Sequence, residues 1–401
     1  MSANHYDIII VGGGLVGMIL GQALRDHGLH LALVDAKPLP TQSLSGDGRS
    51  LALSYSSQQI LTTLDLWPAL AEYATPMQTI HVSKKGVFAK TRLHASALHL
   101  PALGYVVPAN ILANQVAKNV STIPELTVYA PSTVQKLEIK NKNAQLNILQ
   151  SGQTQTLSAR LIIAADGSQS TIAQQLHIHQ EQHVYDQTAI VSTISMSIVN
   201  DNQAYERFTD QGVIALLPVR QKEFGVVWST SIEHAQQLLA LSSEEYLAEL
   251  QKNMGQYWGT EVKLGERSSY PLTASYSYEQ IRPRVVILGN AAHTMHPVAA
   301  QGLNLALRSV AWLAETLLET SDDIGELSVL RNYLQHVQSD QQRVQGVTHG
   351  LAEITSHISS KPLWNLGLGL FDKFPGVKKI FMRQAAGLSG KQAKLARGVK
   401  I

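Results

Sequence analysis

Near its start the chain reads Tyr6-Asp-Ile-Ile-Ile-Val-Gly-Gly-Gly-Leu-Val-Gly17. The first half of this stretch is a continuous β-branched run, which is typical of a strand buried on both faces. The glycine turn leads into a helix predicted from Met18 to His27 and ended by Gly28. A second strand follows at residues 30–35. This βαβ unit predicts a parallel sheet and an α/β fold.

The spacing Gly12-x-Gly14-x-x-Gly17 places three glycines where a strand meets a helix. Gly12 allows a tight turn, Gly14 lets the backbone approach a pyrophosphate, and Gly17 permits close helix–strand packing. The helix N-terminus attracts phosphates, and Asp35 at the end of the second strand suits a ribose diol. We therefore predict a dinucleotide site, with a glycine-rich turn of an ordinary sheet as the alternative. An acid at this position disfavours the 2′-phosphate of NADP.

A second glycine-containing loop follows the buried strand predicted at residues 160–166. It reads Ala164-Ala-Asp-Gly-Ser-Gln-Ser170. Taken alone, Asp166 and Gly167 fit a turn with a helix cap as well as they fit a ligand site.

A third loop, residues 288–308, follows a buried strand at residues 284–289. It is rich in small residues, which let backbone approach a large planar ligand, and its helix start would stabilise negative charge on such a ring. His293 and His296 in this loop lack a third ligand nearby, so we expect no metal. A loop histidine bonded to backbone is the simpler interpretation of His293.

Composition narrows the chemistry further. The chain has 401 residues, of which 44% are hydrophobic and none is cysteine. General disorder, disulfides, thiolate metal sites and a cysteine-linked cofactor are therefore excluded. The N-terminus shows no basic targeting segment and no apolar run approaches the roughly 20 residues that cross a bilayer, so a cytoplasmic location is expected.

Buried strands of the parallel type occur at three distant places, with a mostly β region between the last two. The economical interpretation is one discontinuous α/β domain with a β-rich domain inserted into it. We assign residues 1–80, 105–182 and 275–350 to the first domain, 81–104 and 183–274 to the second, and 351–401 to a basic helical C-terminal region.

The three motifs, in this order and spacing, resemble the single-component FAD-dependent aromatic hydroxylases, whose fold is p-hydroxybenzoate hydroxylase-like. Within that group the chain is most similar to the hydroxylases of ubiquinone biosynthesis. The likeness covers most of residues 5–350 and fades in the C-terminal region. The segments that carry it, besides the motifs, are Asp47–Leu53, Glu206–Thr209, Ala215–Pro218 and Gly289–Pro297.

The resemblance implies a non-covalent FAD and assigns a role to each motif. The ADP half would be held by Gly12, Gly14, Gly17 and Asp35, with Arg49 near the ribose or pyrophosphate. The family's DG motif, involved in both FAD and nicotinamide binding, matches Asp166 and Gly167. The ribityl and pyrophosphate region would meet Gly289 and Asn290, and the isoalloxazine would lie against Pro297, Gln301 and Gly302.

Four positions depart from the family pattern. Asn290 stands where an Asp is usual, Ala173 where an Arg often follows the DG motif, Ala300 where a Gly is usual, and Ser309 where an Asp is usual. Asn290 can still bond a hydroxyl but carries no charge.

The implied activity is hydroxylation of a polyprenylated methoxyphenol in ubiquinone biosynthesis. NAD(P)H or another transient donor reduces FAD, O₂ adds at flavin C(4a), and the resulting hydroperoxyflavin passes one oxygen to the ring. Such a reaction needs a phenolate-like ring and a dry site. Candidates for polarising the phenol are His296, the candidate catalytic residue, and Tyr205. A structural role is the alternative for each of them.

Other functions remain open at this point. A sibling enzyme would act at another ring position or on a soluble aromatic, whereas a flavin dehydrogenase would reduce a quinone and leave O₂ aside. A flavin-binding scaffold subunit of a biosynthetic assembly is the non-enzymatic alternative. No nucleic-acid partner is expected, and the oligomeric state is not predicted.

The near-neutral net charge of +2 hides an asymmetry. Residues 361–401 contain nine Lys or Arg and one acid, a net +8, which leaves −6 for the rest of the chain. Apolar residues beside these cations, in Leu363–Phe371, suit an interfacial helix on the anionic inner face of a membrane. A packed helix with a solvated basic face, or a tail that binds a biosynthetic assembly, is the alternative.

Overall fold

The computed structural model describes residues 4–40, 49–255, 262–295, 300–357 and 360–401. In chain order the strands are β1 (Asn4–Val11), β2 (Leu31–Val34), β3 (Ser50–Ser54), β4 (Thr75–Met77), β5 (Thr79–Lys84), β6 (Lys90–His94), β7 (Gly104–Pro108), β8 (Leu126–Tyr129), β9 (Thr133–Ile139), β10 (Ala144–Gln150), β11 (Gln153–Ala164), β12 (Gln180–Ser195), β13 (Gln203–Thr209), β14 (Gly212–Arg220), β15 (Glu223–Ser231), β16 (Lys263–Leu264), β17 (Ser268–Ser277), β18 (Ile281–Arg282), β19 (Val285–Ile287) and β20 (His293–Thr294).

The α-helices are α1 (Leu15–Ala23), α2 (Tyr55–Thr63), α3 (Ala109–Val120), α4 (Thr171–Gln175), α5 (Ile232–Ala240), α6 (Ser243–Met254), α7 (Gln301–Glu319), α8 (Leu327–His357), α9 (Lys361–Lys373) and α10 (Pro375–Ala385). Short 3₁₀ helices lie at Ala71–Tyr73, Ala95–Leu98, Gly289–Ala291 and Leu395–Arg397. None of the helices in the described part of the chain is long and apolar enough to cross a membrane.

The first sheet contains the strand that begins the chain. Its order is β18-β19-β11-β1-β2-β8, and the hairpin of β9 and β10 extends it by pairing with the first half of β11. Strands β1, β2, β8, β11 and β19 are parallel. The parallel sheet predicted from the sequence is thus confirmed, and the carboxyl ends of these strands meet at one edge.

Both faces of this sheet are covered, which explains the unbroken apolar run of β1. Ile8 and Ile10 belong to a core built with α1, α3, α7 and α8. Ile9 and Val11 pack on the opposite face with apolar residues of β10. Burying each of these side chains contributes about 1.5–3 kcal/mol, so β1 is the centre of a three-layered unit.

The second sheet is mostly antiparallel. Its order is β20-β17-β12-β15-β14-β13-β5-β6, with β16 paired to β12. Helices α5 and α6 cover one face, where Trp228 and Tyr246 are completely buried. A third, small sheet has the strand order β3-β7-β4. Its strands come from residues 50–108.

The C-terminal region packs first on the surface, as α9 and α10, and then in the core of the first unit. After α9 and α10, residues 393–396 join the core of the first unit. The Thr63 hydroxyl donates to the Leu395 carbonyl at 3.0 Å, and the Lys394 backbone N–H donates to Glu315 at 2.5 Å. The chain end is therefore fastened to α2 and α7.

Three sequence predictions can be compared with the structure. The first helix runs from Leu15 to Ala23, earlier than the predicted Met18–His27, because Gly14 caps it and Asp26 adopts a left-handed φ of 63°. The predicted hairpin around residues 141–143 is confirmed. The predicted domain limits stay predictions. The limit between residues 350 and 351 falls inside α8.

Helix α1 touches the sheet without a side chain between them. A Cβ on Gly17 would lie 2.0 Å from the Gly12 carbonyl oxygen, so Gly17→Ala forces backbone apart. We expect a loss of about 1–3 kcal/mol in the free energy of unfolding, measured by denaturant titration.

Gly21→Ala in the same helix is the matched control. Its nearest neighbour is a Leu126 methyl at 3.6 Å, an ordinary contact. This change should be neutral or stabilising by up to about 1 kcal/mol. Equal destabilisation by both substitutions would contradict the close approach at Gly17.

Candidate active site

The three motif loops and Asp35 converge on one edge of the first sheet. They follow β1, β2, β11 and β19, which are neighbours in the order β19-β11-β1-β2 and run parallel. In open α/β sheets, ligands bind at the carboxyl ends of the strands. The fold therefore brings together sequence motifs as far apart as residues 12 and 290.

The first glycine loop is shaped by close contacts on one side and open space on the other. Gly12 has a φ of +111°, and a Cβ on it would lie 2.3 Å from the Ala165 carbonyl oxygen. A Cβ on Gly14 would meet nothing within 4 Å. The N-terminus of α1 thus opens onto a cradle with free backbone amides, which suits phosphate groups.

Asp35 orients this loop. Its carboxylate accepts the Gly13 N–H at 2.6 Å through one oxygen and the Lys37 N–H at 2.7 Å through the other. The acid expected near a ribose therefore lies against the glycine turn, beside the end of β1.

The two carboxylate oxygens of Asp166 lie in different surroundings. One carboxylate oxygen accepts the N–H groups of Thr171 (2.8 Å) and Ile172 (3.4 Å) and so caps α4. The other oxygen is buried and has no hydrogen-bond partner among the described residues. Burial raises the pKa of Asp166 despite these bonds. A ligand hydroxyl would satisfy the unpaired oxygen.

The third loop packs onto the first. Gly289 has a φ of +64°, and a Cβ on it would lie 3.2 Å from the Val16 side chain of α1. Asn290 is exposed beside it. Gly302 at the start of α7 has nothing within 4 Å of an added Cβ. An added Cβ would therefore meet open space both at Gly14 and at the start of α7.

Ala300, at the position where the resembling family usually has a glycine, adopts a backbone conformation that favours glycine. Its φ of +49° lies in the left-handed region, which costs an alanine about 1–2 kcal/mol. The Asn304 amide holds this turn by donating to the Ala300 carbonyl at 2.6 Å and to the Ala52 carbonyl at 2.9 Å. Its oxygen accepts the Ser54 N–H at 2.7 Å.

These features fit FAD. The open glycine positions leave room for its backbone-bound phosphates, and the unpaired Asp166 oxygen offers an acceptor for a hydroxyl. Arg49 lies farther out, with its guanidinium 5.2 Å from the Tyr270 ring centroid, and Gln301 is buried at the start of α7. His296 and Pro297 lie outside the described residues.

A cavity of about 420 Å³ lies between this edge and the face of the second sheet opposite α5 and α6. Asn290, Ala300 and Gly302 border it on one side. The sheet side is mainly apolar and consists of residues such as Ile80, Ala204, Val213, Ala215, Leu217 and Val227. Cavities of 300–1,000 Å³ with mostly apolar walls are typical of small-molecule sites.

Glu206 is the acidic residue in the described wall of this cavity. It lies in the centre of the sheet face, because it pairs with Ala215, which in turn pairs with Val227. Burial raises its pKa to about 7. The residue as a whole is partly buried and borders the cavity. A carboxylate with this pKa can accept a proton near neutral pH.

Tyr205, one of the two predicted phenol-polarising residues, also borders the cavity, but its ring packs against two aromatic rings. The ring lies 5.7 Å from that of His81 and 6.1 Å from that of Phe224. Phe224 belongs to the sheet face covered by α5 and α6. Because successive strand residues face opposite sides, Glu206 takes the cavity side.

Glu206 was not among the site residues predicted from the sequence. The available signal was an acid between apolar neighbours on one strand face, Ala204 and Phe208. His293 also differs from expectation: it is buried, its ring nitrogens have no hydrogen-bond partner among the described residues, and burial lowers its pKa to about 4.

A second cavity, of about 410 Å³, lies between the end of α7 and α8. Its wall includes Glu315, Glu319 and Asp322. It is remote in the fold from the motif edge, and its polar wall does not suit a planar aromatic ring. The cavity beside Asn290 is therefore the candidate active site.

Comparison with known proteins agrees with this geometry. Residues 5–346 match a family described as an FAD binding domain. Among solved structures, the p-nitrophenol 4-monooxygenase PnpA from Pseudomonas putida superposes with a TM-score of 0.79 over 97% of this chain and 100% of that one, at 15% identity. At that identity the likeness shows the fold. The chain is an FAD-dependent monooxygenase with a p-hydroxybenzoate hydroxylase-like fold.

Curated relatives narrow the class. The chain is 32% identical to ubiquinone hydroxylase UbiL from Rhodospirillum rubrum, over 98% of this chain and 93% of the relative. It is 28% identical to 3-demethoxyubiquinol 3-hydroxylase from Escherichia coli, over 97% of this chain and 100% of the relative. The chain belongs to the family of FAD-dependent hydroxylases of ubiquinone biosynthesis.

The two roles of Asp166 can be separated by substitution. Asp166→Ala removes both the helix cap and the unpaired oxygen, and we expect FAD retention to fall at least tenfold. The measurement is the dissociation constant of FAD, followed by flavin fluorescence on titration into the apoprotein.

Ser170→Ala provides the matched control. The Ser170 hydroxyl accepts the Ala173 N–H at 3.0 Å and caps the same helix. Its loss should cost about 1 kcal/mol of stability and leave the FAD dissociation constant within twofold of the wild type. Parallel loss of FAD in both variants would reduce Asp166 to a helix cap.

Proposed function

We propose that this protein hydroxylates the ring of a polyprenylated methoxyphenol in ubiquinone biosynthesis, as a protein most like 2-polyprenyl-6-methoxyphenol hydroxylase. The position of the cavity carries the proposal: one wall is the flavin-binding edge at Asn290 and Gly302, and the other is an apolar sheet with a central carboxyl. The names of the relatives from R. rubrum and E. coli support a substrate from this pathway.

Two observations favour an aromatic substrate with an apolar tail. The cavity is large enough for a substituted ring. Its walls at Leu217 and Val227 exclude water from the reacting edge, and a dry site protects oxygenating chemistry from side reactions. FAD, when bound, supplies the electron transfer and O₂ activation that the side chains of this chain cannot.

We assign to Glu206 the role of proton acceptor for the phenol hydroxyl. Its carboxylate accepts the hydroxyl proton, and the ring then carries the negative charge that makes it electron-rich. One atom of O₂ enters the ring, the other leaves as water, and the two electrons come from a nicotinamide dinucleotide or another donor. Asn290, Asp166 and the glycine loop would hold the cofactor at the edge that borders this cavity.

The nicotinamide dinucleotide has to bind without the arginine that often follows the DG motif. Ala173 at this place is buried against Ile287 and Ala291, so the position is inaccessible to a ligand. The reductant therefore contacts other residues.

The decisive experiment uses the purified, FAD-loaded enzyme with ¹⁸O₂ and a reduced nicotinamide. Prenylated and unprenylated methoxyphenols are offered separately. Incorporation of one ¹⁸O into the ring, with the prenylated phenol turned over at higher kcat/KM, supports the proposal. Product without label would identify a quinone-linked dehydrogenase, and preference for the unprenylated phenol would identify a sibling acting on soluble aromatics.

Glu206→Gln tests the proton acceptor. The wild-type kcat/KM should rise with pH through a pKa near 7, because the ionised carboxylate is the active form. The variant should lose this limb and about 10²-fold in rate at pH 8, while the reduction rate of its flavin stays unchanged. Glu223 lies on β15 of the same sheet and forms an exposed ion pair with Arg220 at 3.7 Å. Glu223→Gln should preserve the profile.

The same group makes a stability prediction of definite sign. The folded-state pKa of Glu206 is raised, so ionisation opposes folding at pH values above 7 and has no effect well below pH 4.5. Glu206→Gln should therefore raise the melting temperature at pH 8 and leave it unchanged at pH 4. A fall at pH 8 would contradict the burial of an unpaired carboxyl.

A further inference from the structure

The surface of α9 and α10 shows an apolar stripe that no described element covers. Its members recur at helical spacing along both helices, and all are exposed: Leu363, Leu366, Leu370, Phe374, Val377 and Ile380. We call them the exposed stripe. Ile380 has 69% of its surface accessible. Contiguous exposed apolar patches on soluble proteins mark interaction sites.

The opposite side of the two helices is anchored to the fold. The Trp364 ring lies 5.2 Å from that of Phe208 in β13, and Met382 packs with Leu93 and Leu103. Asp372 accepts the Thr91 hydroxyl at 2.8 Å. The exposed stripe is therefore the outward face of a fixed element.

A loop tip extends this surface. The turn between β5 and β6 presents Phe88, which is 97% exposed. The Phe88 and Ala89 N–H groups both donate to the Asn365 side chain of α9 at 3.0 Å. A nearly fully exposed phenylalanine held beside a helix is a second, separate observation of an uncovered apolar group.

The charges beside the exposed stripe are positive. Lys373, Lys379 and Arg383 are exposed on these helices, and Lys90 is exposed on the adjoining β6. The one acid of α9 and α10, Asp372, is neutralised by Lys378 at 2.8 Å. Apolar groups flanked by cations are complementary to the anionic surface of a lipid bilayer.

The same helices adjoin the active-site cavity. Phe208, which contacts Trp364, pairs with Val213, and Val213 pairs with Ser229; the latter two lie in the cavity wall. Phe208 and Glu206 share one face of β13 because they are two residues apart. The apolar sheet face thus runs from the cavity to the underside of α9.

We propose that the exposed stripe and Phe88 dock this protein on an anionic lipid bilayer, from which an apolar-tailed substrate passes along the sheet face into the cavity. The passage of substrate rests on the proposed function, whereas the binding to lipid does not. The helices lie in the interface, since each is too short to span it.

The first test is flotation of the full-length, FAD-loaded protein with vesicles. Vesicles of phosphatidylcholine alone are compared with vesicles that contain 30 mol% phosphatidylglycerol as the probe. We expect binding to the anionic vesicles that weakens with salt. Absence of binding to both kinds of vesicle would overturn the proposal.

Substitutions separate the two components. Leu366→Ser, Leu370→Ser and Ile380→Ser combined should reduce the bound fraction at least tenfold, whereas Val184→Ser, an equally exposed site elsewhere, should not. Lys373→Gln with Lys379→Gln should weaken binding to anionic vesicles about tenfold or more. The charge-matched pair Lys118→Gln with Lys142→Gln should retain binding, and equal loss in both pairs would overturn a specific surface.

Activity with a soluble, unprenylated phenol distinguishes the two proposals. The triple Ser variant should hydroxylate this substrate at the wild-type rate and lose activity only toward prenylated phenol presented in vesicles. Loss of a concentration-dependent dimer in the triple variant, with unchanged lipid binding, would make the exposed stripe a self-association face and overturn lipid docking. Wild-type lipid binding without any hydroxylation would sink the proposed function alone.

Discussion

The contact between α1 and β1 is the constraint on which the site depends. At Gly12 and Gly17 backbone meets backbone, with no room for a Cβ on either residue. This approach brings the N-terminus of α1 to the carboxyl end of β1 and leaves Gly14 open. Ala165 and Val16 then locate the loops that follow β11 and β19 against the same turn. The shape of the cofactor cradle thus depends on the absence of a Cβ at Gly12 and Gly17.

Much of this arrangement could be predicted from the sequence because it rests on local rules. The apolar run of β1, the glycine spacing and Asp35 specify strand, turn and helix within about thirty residues. The motif at Asp166 was ambiguous for a physical reason: the same carboxylate caps α4 and leaves one oxygen unpaired. Helix cap and ligand site are both present in one side chain.

The substrate side resisted prediction because it depends on register between distant strands. Glu206 faces the cavity only because β13 pairs with β14 in a register that aligns Glu206 with Ala215. A shift by one residue would bring Tyr205 to this face. The alternation of strand β13 indicates two faces, but not which of them is covered by α5 and α6. That choice arises from the tertiary packing around Trp228.

The return of the chain end to α2 and α7 has a consequence for modularity. Residues 361–385 are held at both ends, by α8 before them and by the bonds of Lys394 and Leu395 after them. They form a surface segment whose two ends are both attached to the rest of the fold. The outward side chains of such a segment can change in chemistry while the residues beneath it keep their positions. The surface and the catalytic centre are therefore free to evolve separately.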